Sequence, residues 1–166
     1  HLYPSFDQYA YNGIYHTVAK YLTTGTYVFH FRPNFPGTVG FNASNGAWLL
    51  DNGNGLRILT MRVSTTSWTV TVDSGNGLFL LVIDIQDHSN DYMTLFIDVA
   101  TFPATVTAQI LYSDYTWSPS VSGTGYPTFQ NASTALCQSR GASSSKYVGF
   151  MYGYVAYARL LSTFEK

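Results

Sequence analysis

Asn-Gly pairs stand at 12–13, 45–46, 52–53, 54–55 and 76–77. Asn tolerates a left-handed backbone and Gly adopts one freely, so the pair is the strongest short-range signal for a β-hairpin. Between these pairs the chain alternates apolar and polar residues with period two. Residues 26–32 set Tyr27, Phe29 and Phe31 against Val28, His30 and Arg32, and residues 67–73 set Trp68, Val70 and Val72 against Thr69 and Thr71. Residues 93–99 group Met93, Leu95, Ile97 and Val99, and residues 105–111 group Val106, Ala108 and Ile110. A chain with that period and that punctuation is confined to short antiparallel strands with one wet and one dry face.

Segments 56–63 and 78–86 are more continuously apolar and read as strands buried on both faces. Pro36, Pro103, Pro119 and Pro127 fall between runs, as does Pro33, where no ladder hydrogen bond is needed. Residues 5–22 leave room for a short helix. Residues 131–140 read as another, with Asn131 at its N-cap and Gly141 just beyond its end. Residues 113–127 read as loop, 141–145 as connector and 146–161 as a closing strand or hairpin. The fold class that follows is all-β, an antiparallel β-sandwich or jelly-roll-like domain with room for a short helix. At 166 residues, positions 1–166 are expected to form a single domain.

Charged residues make up only 10% of the chain, against roughly 25% in ordinary soluble domains. Net charge is −1, so the chain carries no electrostatic footprint for nucleic acid or an anionic membrane. No run reaches the length of a membrane span. Solubility must therefore come from hydroxyls and amides, the groups that dominate adaptable recognition surfaces. That texture points to an extracellular or virion-surface protein. The single Cys137 excludes an internal disulfide. Asn42-Ala43-Ser44 and Asn131-Ala132-Ser133 are sequons that permit glycosylation. A first residue of His rather than Met is read as a processed chain or an excised domain.

Catalytic signatures are missing. There is no G-x-S-x-G, H-E-x-x-H, C-x-x-C or phosphate-binding P-loop pattern. Glycoside hydrolysis uses two carboxylates, and the one glutamate, Glu165, lies at the C-terminal end. A copper brace built on a free His1, with His16, His30 or His88 as partner, is the one metal hypothesis of chemical interest. Residues 84–92 (DIQDHSNDY) gather enough oxygen donors for calcium, but Asp and Asn also gather in hairpin turns, and the turn is the expectation. No enzyme activity, metal or cofactor is expected.

If the aromatics of 26–32 enter the core, His30 and Arg32 face outward side by side, and Asn34 follows in the same direction. Trp48, after the Asn45-Gly46 turn, is expected to add an aromatic face from the neighbouring strand. Such a mixture suits a sugar, whose hydroxyls are read by planar donors and amides and whose C–H patch packs on a ring.

His30-Phe31-Arg32-Pro33-Asn34, followed by Asn42 and Trp48, resembles the galectin site, H-x-N-P-R on one strand, an Asn on the next and then a Trp. The Asn and Arg of the first motif are exchanged here, and Leu49-Leu50-Asp51-Asn52 lacks the Glu/Arg pair that follows the galectin Trp. The resemblance covers about twenty residues. It implies a galectin-like β-sandwich lectin, similar in texture to viral attachment-spike heads such as the rotavirus spike-tip domain, with His30, Arg32, Asn34, Asn42 and Trp48 as ligand contacts. LTTGTYVFHF is similar to the strand entry of PA14-type adhesin lectins, and KYVGFMYGYVAYARLL resembles the closing strands of C1q-like and TNF-like jelly rolls.

A second recognition surface is expected at 112–129, where Tyr115 and Trp117 stand in a Pro/Gly/Ser-rich segment. Aromatic side chains exposed on a rigid scaffold are typical binding anchors. The functional expectation is thus a non-enzymatic domain of a surface attachment protein whose partner is a cell-surface glycan or glycoprotein receptor. The alternative is a structural, oligomerising jelly roll that binds protein through Tyr147, Tyr152, Tyr154 and Tyr157, and either reading allows a homo-oligomer.

Overall fold

The computed structural model describes residues 5–6, 14–17, 24–33, 47–52, 55–62, 64, 66–125, 133–136, 138–139, 142–146 and 149–166. In chain order the strands are β1 (Ser5–Phe6), β2 (Ile14–Thr17), β3 (Gly25–Pro33), β4 (Ala47–Asp51), β5 (Leu56–Arg62), β6 (Trp68–Ser74) and β7 (Leu80–Asp84). A 3-10 turn, Gln86–His88, precedes β8 (Met93–Thr101), β9 (Ala104–Tyr112) and β10 (Val121–Thr124). Then come β11 (Ser133–Leu136), β12 (Gln138–Ser139), β13 (Ala142–Lys146) and β14 (Gly149–Tyr157). They form a front sheet in the order β1-β14-β3-β8-β9-β10 and a back sheet in the order β2-β11-β4-β5-β6-β7, with β12 and β13 pairing separately. Every pairing is antiparallel, so the chain is the β-sandwich that its periodicity predicts.

The core lies between the two sheets. Tyr27, Phe29, Phe31, Leu95, Ile97, Val106 and Ile110 meet Leu49, Ile58, Val70, Val72, Leu81 and Ile83 there. β3 sits in the middle of the front sheet, between β14 and β8, and keeps the expected alternation from Tyr27 to Pro33, while Thr26 on the outer face is buried. Its partner β14 does not alternate strictly. The register shifts between Met151 and Gly153, so Tyr152 and Gly153 together oppose His30. That bulge lets Met151 and Tyr154, three residues apart, both pack on the core, where strict alternation would turn one of them outward. The Tyr154 ring stacks on Phe29 at 4.6 Å.

The 76–77 pair makes its hairpin as expected. Gly77 has φ +77°, its N–H donates to the Ser74 carbonyl at 2.9 Å, and the buried Ser74 hydroxyl accepts from the N–H groups of Leu78 and Phe79. Segment 56–63 yields β5, whose Leu56, Ile58, Leu59 and Thr60 are buried.

Four expectations fail. Residues 131–140 are not a helix: β11 slots between β2 and β4, where two neighbours satisfy its backbone. Ten residues with few apolar ones cannot repay helix nucleation against that pairing. The connector expected at 141–145 is instead strand β13, paired with β12. Of 5–22, where the sequence leaves room for a short helix, only residues 5–6 and 14–17 are described, as β1 and β2. Segment 78–86 is not buried on both faces, because β7 closes the edge of the back sheet and leaves Leu80 and Val82 exposed. Segment 113–127 contains β10, paired along β9.

Phe29 is fully buried at the centre of the front sheet and braces Tyr154. Phe29→Ala is expected to cost about 3–5 kcal/mol of folding stability, measured by denaturant unfolding with an unchanged slope.

Candidate ligand-binding face

The wet face of β3 carries Val28, His30 and Arg32, as the alternation requires. His30 Nδ1 lies 2.8 Å from the Thr94 hydroxyl on β8, and its ring lies 5.2 Å from that of Tyr152. Arg32 Nε donates to the Asn90 carbonyl at 2.8 Å, and its guanidinium lies 5.3 Å from the centre of the Tyr92 ring. Tyr92 in turn meets Tyr152 at 5.1 Å. His30, Arg32, Tyr92, Thr94 and Tyr152 thus form one cluster of donors and aromatic faces. Sequence reading missed Tyr92 and placed Tyr152 only among the contacts of an oligomer. Tyr92 stands outside any regular run, and Tyr152 reaches this face only through the bulge.

Register extends the cluster across the sheet. Gly153 pairs with His30, His30 with Thr94, Thr94 with Leu111, and Leu111 bridges to Trp117. Residues paired in this way share a face. His30 and Trp117 therefore end a row of three inter-strand steps, about 14 Å long. Trp117 is 40% exposed, and its ring packs at 5.6 Å on Phe96. At the other end nothing lies within 4 Å of where a Cβ on Gly153 would stand, so the row opens freely beside His30. The C-terminal segment covers a different part of this face. Leu161 N–H donates to the Thr26 hydroxyl, which donates to Asp98, and Lys166 Nζ holds the other Asp98 oxygen.

The structure brings His30, Arg32 and Trp117 onto this face. Trp48 does not join them: β4 belongs to the back sheet, and β3 is flanked by β14 and β8, so the neighbouring strand expected to carry it is another. Sequence proximity misled here because the chain crosses from one sheet to the other between β3 and β4. Asn34 and Asn42 lie outside the described residues, as does His1 of the copper hypothesis. Tyr115 is 87% exposed, with φ +66°, in a tight turn before Trp117. That turn is well tied. Tyr112 N–H donates to the Thr116 carbonyl, Tyr115 N–H to the Tyr112 carbonyl and Ser118 N–H to the Ile110 carbonyl, all at 2.8–3.0 Å. Trp117 is thereby presented on a fixed backbone.

The face is positive at its His30 end. Among the described residues no carboxylate pairs with Arg32. Burial lowers the His30 pKa, so the ring is neutral at pH 7. The hydrogen bond with Tyr152, and then that with Arg32, lowers the pKa of Tyr92 and favours its hydroxyl as an acceptor. Residues 84–92 form a turn in which His88 Nδ1 meets Asp91 at 2.9 Å, and no metal-ligating cluster is found among the described residues.

No protein-family model matches the chain, and no curated protein matches it. Solved structures do. The chain is similar to full-length tailspike protein 2 of Escherichia coli O157:H7 bacteriophage CAB120, with a TM-score of 0.66 at 14% identity, over 92% of this chain and 22% of that one. It is similar to the LG1-3 region of the laminin α2 chain, with a TM-score of 0.60 at 13% identity, over 93% and 30%. The Ruminococcus gnavus IT-sialidase CBM40 gives a TM-score of 0.54 at 12% identity, over 87% and 80%, and that module has been solved with α2,3- and α2,6-sialyllactose bound. These likenesses support the β-sandwich fold. The chain spans less than a third of the tailspike and of the laminin region.

A folded pKa below the ordinary 6.5 means that the unfolded chain takes up the His30 proton more readily. His30 therefore contributes stability that is full above about pH 6.5 and declines as pH falls through that value. In an NMR pH titration the His30 ring is expected to titrate with a midpoint below 6.5, and a midpoint at or above 6.5 contradicts this environment.

Proposed function

We propose that the outer face of the front sheet binds a cell-surface glycan, and that the chain is the non-catalytic recognition domain of a surface attachment protein of the viral spike or fibre-head type. The observation that carries this reading is the row from His30 through Thr94 and Leu111 to Trp117, a strip of polar, aliphatic and aromatic side chains too long for one sugar ring and open to solvent. Hydroxyl and imidazole groups along the row suit sugar hydroxyls, and Trp117 and Tyr92 offer ring faces for C–H patches. Arg32, without a carboxylate partner among the described residues, suits an acidic sugar, whose carboxylate matches the guanidinium fork. The sialyllactose complexes of a similarly folded module support that choice.

A non-catalytic role accords with the one glutamate. The Arg159 hydrogen bond holds the Glu165 carboxyl down at about 2, the opposite of the raised value that a general acid needs. The oligomerising alternative loses part of its support, because Tyr154 packs within its own core and Tyr152 within the His30 cluster. No helix among the described residues is long and apolar enough to cross a membrane.

Affinity for a single glycan is expected in the ~mM range, with avidity from several copies on one particle. In an NMR titration with sialyllactose and lactose, shifts are expected at His30, Thr94 and Trp117, stronger with the acidic sugar. Arg32→Ala should weaken sialyllactose binding about tenfold or more, as the loss of a charge-assisted hydrogen bond predicts. Trp117→Ala should weaken both sugars. A glycan array and titration that show no saccharide binding to the folded domain would overturn the reading.

A further inference from the structure

A cleft of about 350 Å³ opens between β7, at the edge of the back sheet, and the 112–121 segment of the front sheet. That volume falls at the lower end of small-ligand pockets, roughly 300–1,000 Å³. Its polar lining comes from Asp84, Gln86, His88, Tyr112, Thr116 and Ser118, its apolar lining includes Val82, Ile85 and Trp117, and no lysine or arginine contributes. We infer that this cleft is a second binding site, for a small primary ammonium group carried by an amine or an amino sugar. It differs in charge from the glycan face proposed above and shares Trp117 with it as a common border.

Three observations support the assignment. First, the walls are fixed. The His88 ring stacks on Tyr112 at 3.7 Å and 9°, and Asp91 anchors its Nδ1 at 2.9 Å. Gln86 N–H donates to Asp84 Oδ1 at 3.0 Å, and among the described residues no hydrogen bond takes the second Asp84 oxygen. Second, the two non-glycine residues with positive φ among the described residues both stand here. Gln86, at φ +41°, lines the cleft, and Tyr115, at φ +66°, immediately precedes its Thr116 wall. Such conformations persist only where the surroundings enforce them, and they gather at ligand clamps.

Third, the field is negative. The groups that face the cleft or flank it are Asp84, His88, Asp91, Tyr112 and Asp114. Burial first, then the charges of Asp84 and Asp114, pushes the Tyr112 phenol up to about 12. The same charges that resist ionisation of Tyr112 attract a cation and repel a carboxylate. An ammonium has three donors, and Asp84, the Gln86 side-chain carbonyl and the Thr116 hydroxyl are the acceptor types that it requires. The acidic sugar suited to Arg32 is thus excluded from this cleft by charge.

The test is an NMR titration of the whole chain with glucosamine hydrochloride, ethanolamine and glucose. Glucosamine and glucose differ at one position, an ammonium in place of a hydroxyl. Glucosamine is expected to shift the amides of Gln86, Tyr112 and Thr116, while glucose at equal concentration leaves them in place. A matching response to ethanolamine assigns the site to amines in general, and its absence assigns it to amino sugars. Asp84→Asn should weaken the response at least tenfold, and Arg32→Ala should leave it unchanged. Equal shifts with glucose, no shift with either amine, undiminished binding by Asp84→Asn, or the same shifts with calcium chloride alone would each overturn the proposal. Should Asp84→Asn fail to fold, the glucosamine-to-glucose comparison on the unaltered chain decides.

Discussion

Burial of Tyr27, Phe29 and Phe31 on one side of β3 is the constraint from which the proposed glycan face follows. β3 is paired on both edges, so its position sets the registers of β14 and β8 together. A slip of one residue would bury His30 and Arg32 and expose three aromatic rings. At roughly 1.5–3 kcal/mol per large apolar side chain, that slip is prohibited. The dry face of β3 therefore fixes what its wet face presents. The bulge at Tyr152 belongs to the same arrangement: by keeping Met151 and Tyr154 on the core, it turns one further ring toward His30.

The scarcity of charge gives each ion pair a recognisable task. Arg57 and Asp73 join β5 to β6 through two hydrogen bonds of 2.7 Å, and Lys166 with Asp98 ties the C-terminal segment to the front sheet. Arg159 with Glu165 closes that segment on itself. These pairs serve structure, and the partly exposed ones contribute modestly. Arg32 differs, because its contacts are a carbonyl and a phenol ring, which orient the guanidinium without neutralising it. Asp84 differs in the same way with the opposite sign: its recorded partner is a backbone N–H. A chain this poor in charge leaves such residues little long-range competition.

Architecture and the wet face of β3 were legible in the sequence because both follow from period two, which survives any tertiary context that keeps one face dry. The Asn76-Gly77 turn was legible for a similarly local reason. What was not legible is non-local. Whether Trp48 or Trp117 stands in line with His30 depends on which strands become neighbours. Linear order pointed to Trp48, while pairing through β8 and β9 puts Trp117 there. Tyr152 was obscured because a bulge breaks the alternation used to assign faces. The helix expected at 131–140 failed for a related reason: Asn131 and Gly141 are weak local signals, and a vacant ladder between β2 and β4 outweighs them.

The turn from Tyr112 to Ser118 links these two surfaces physically. Its first residue is a wall of the ammonium cleft, and Trp117 ends the His30 row while also bordering that cleft. Its hydrogen bonds are short and mutually dependent. The Asp114 carboxylate accepts from both the backbone and the hydroxyl of Thr116, and the buried Ser118 hydroxyl accepts from Ile110 and donates to the Pro119 carbonyl. A turn tied in this way loses little further conformational entropy when a ligand orders it, so weak contacts convert efficiently into affinity. Rigidity here also keeps the surfaces distinct. Tyr112 faces the core and Trp117 the outer face, so a rigid turn holds a wall of the cleft and the end of the strip in a fixed relation.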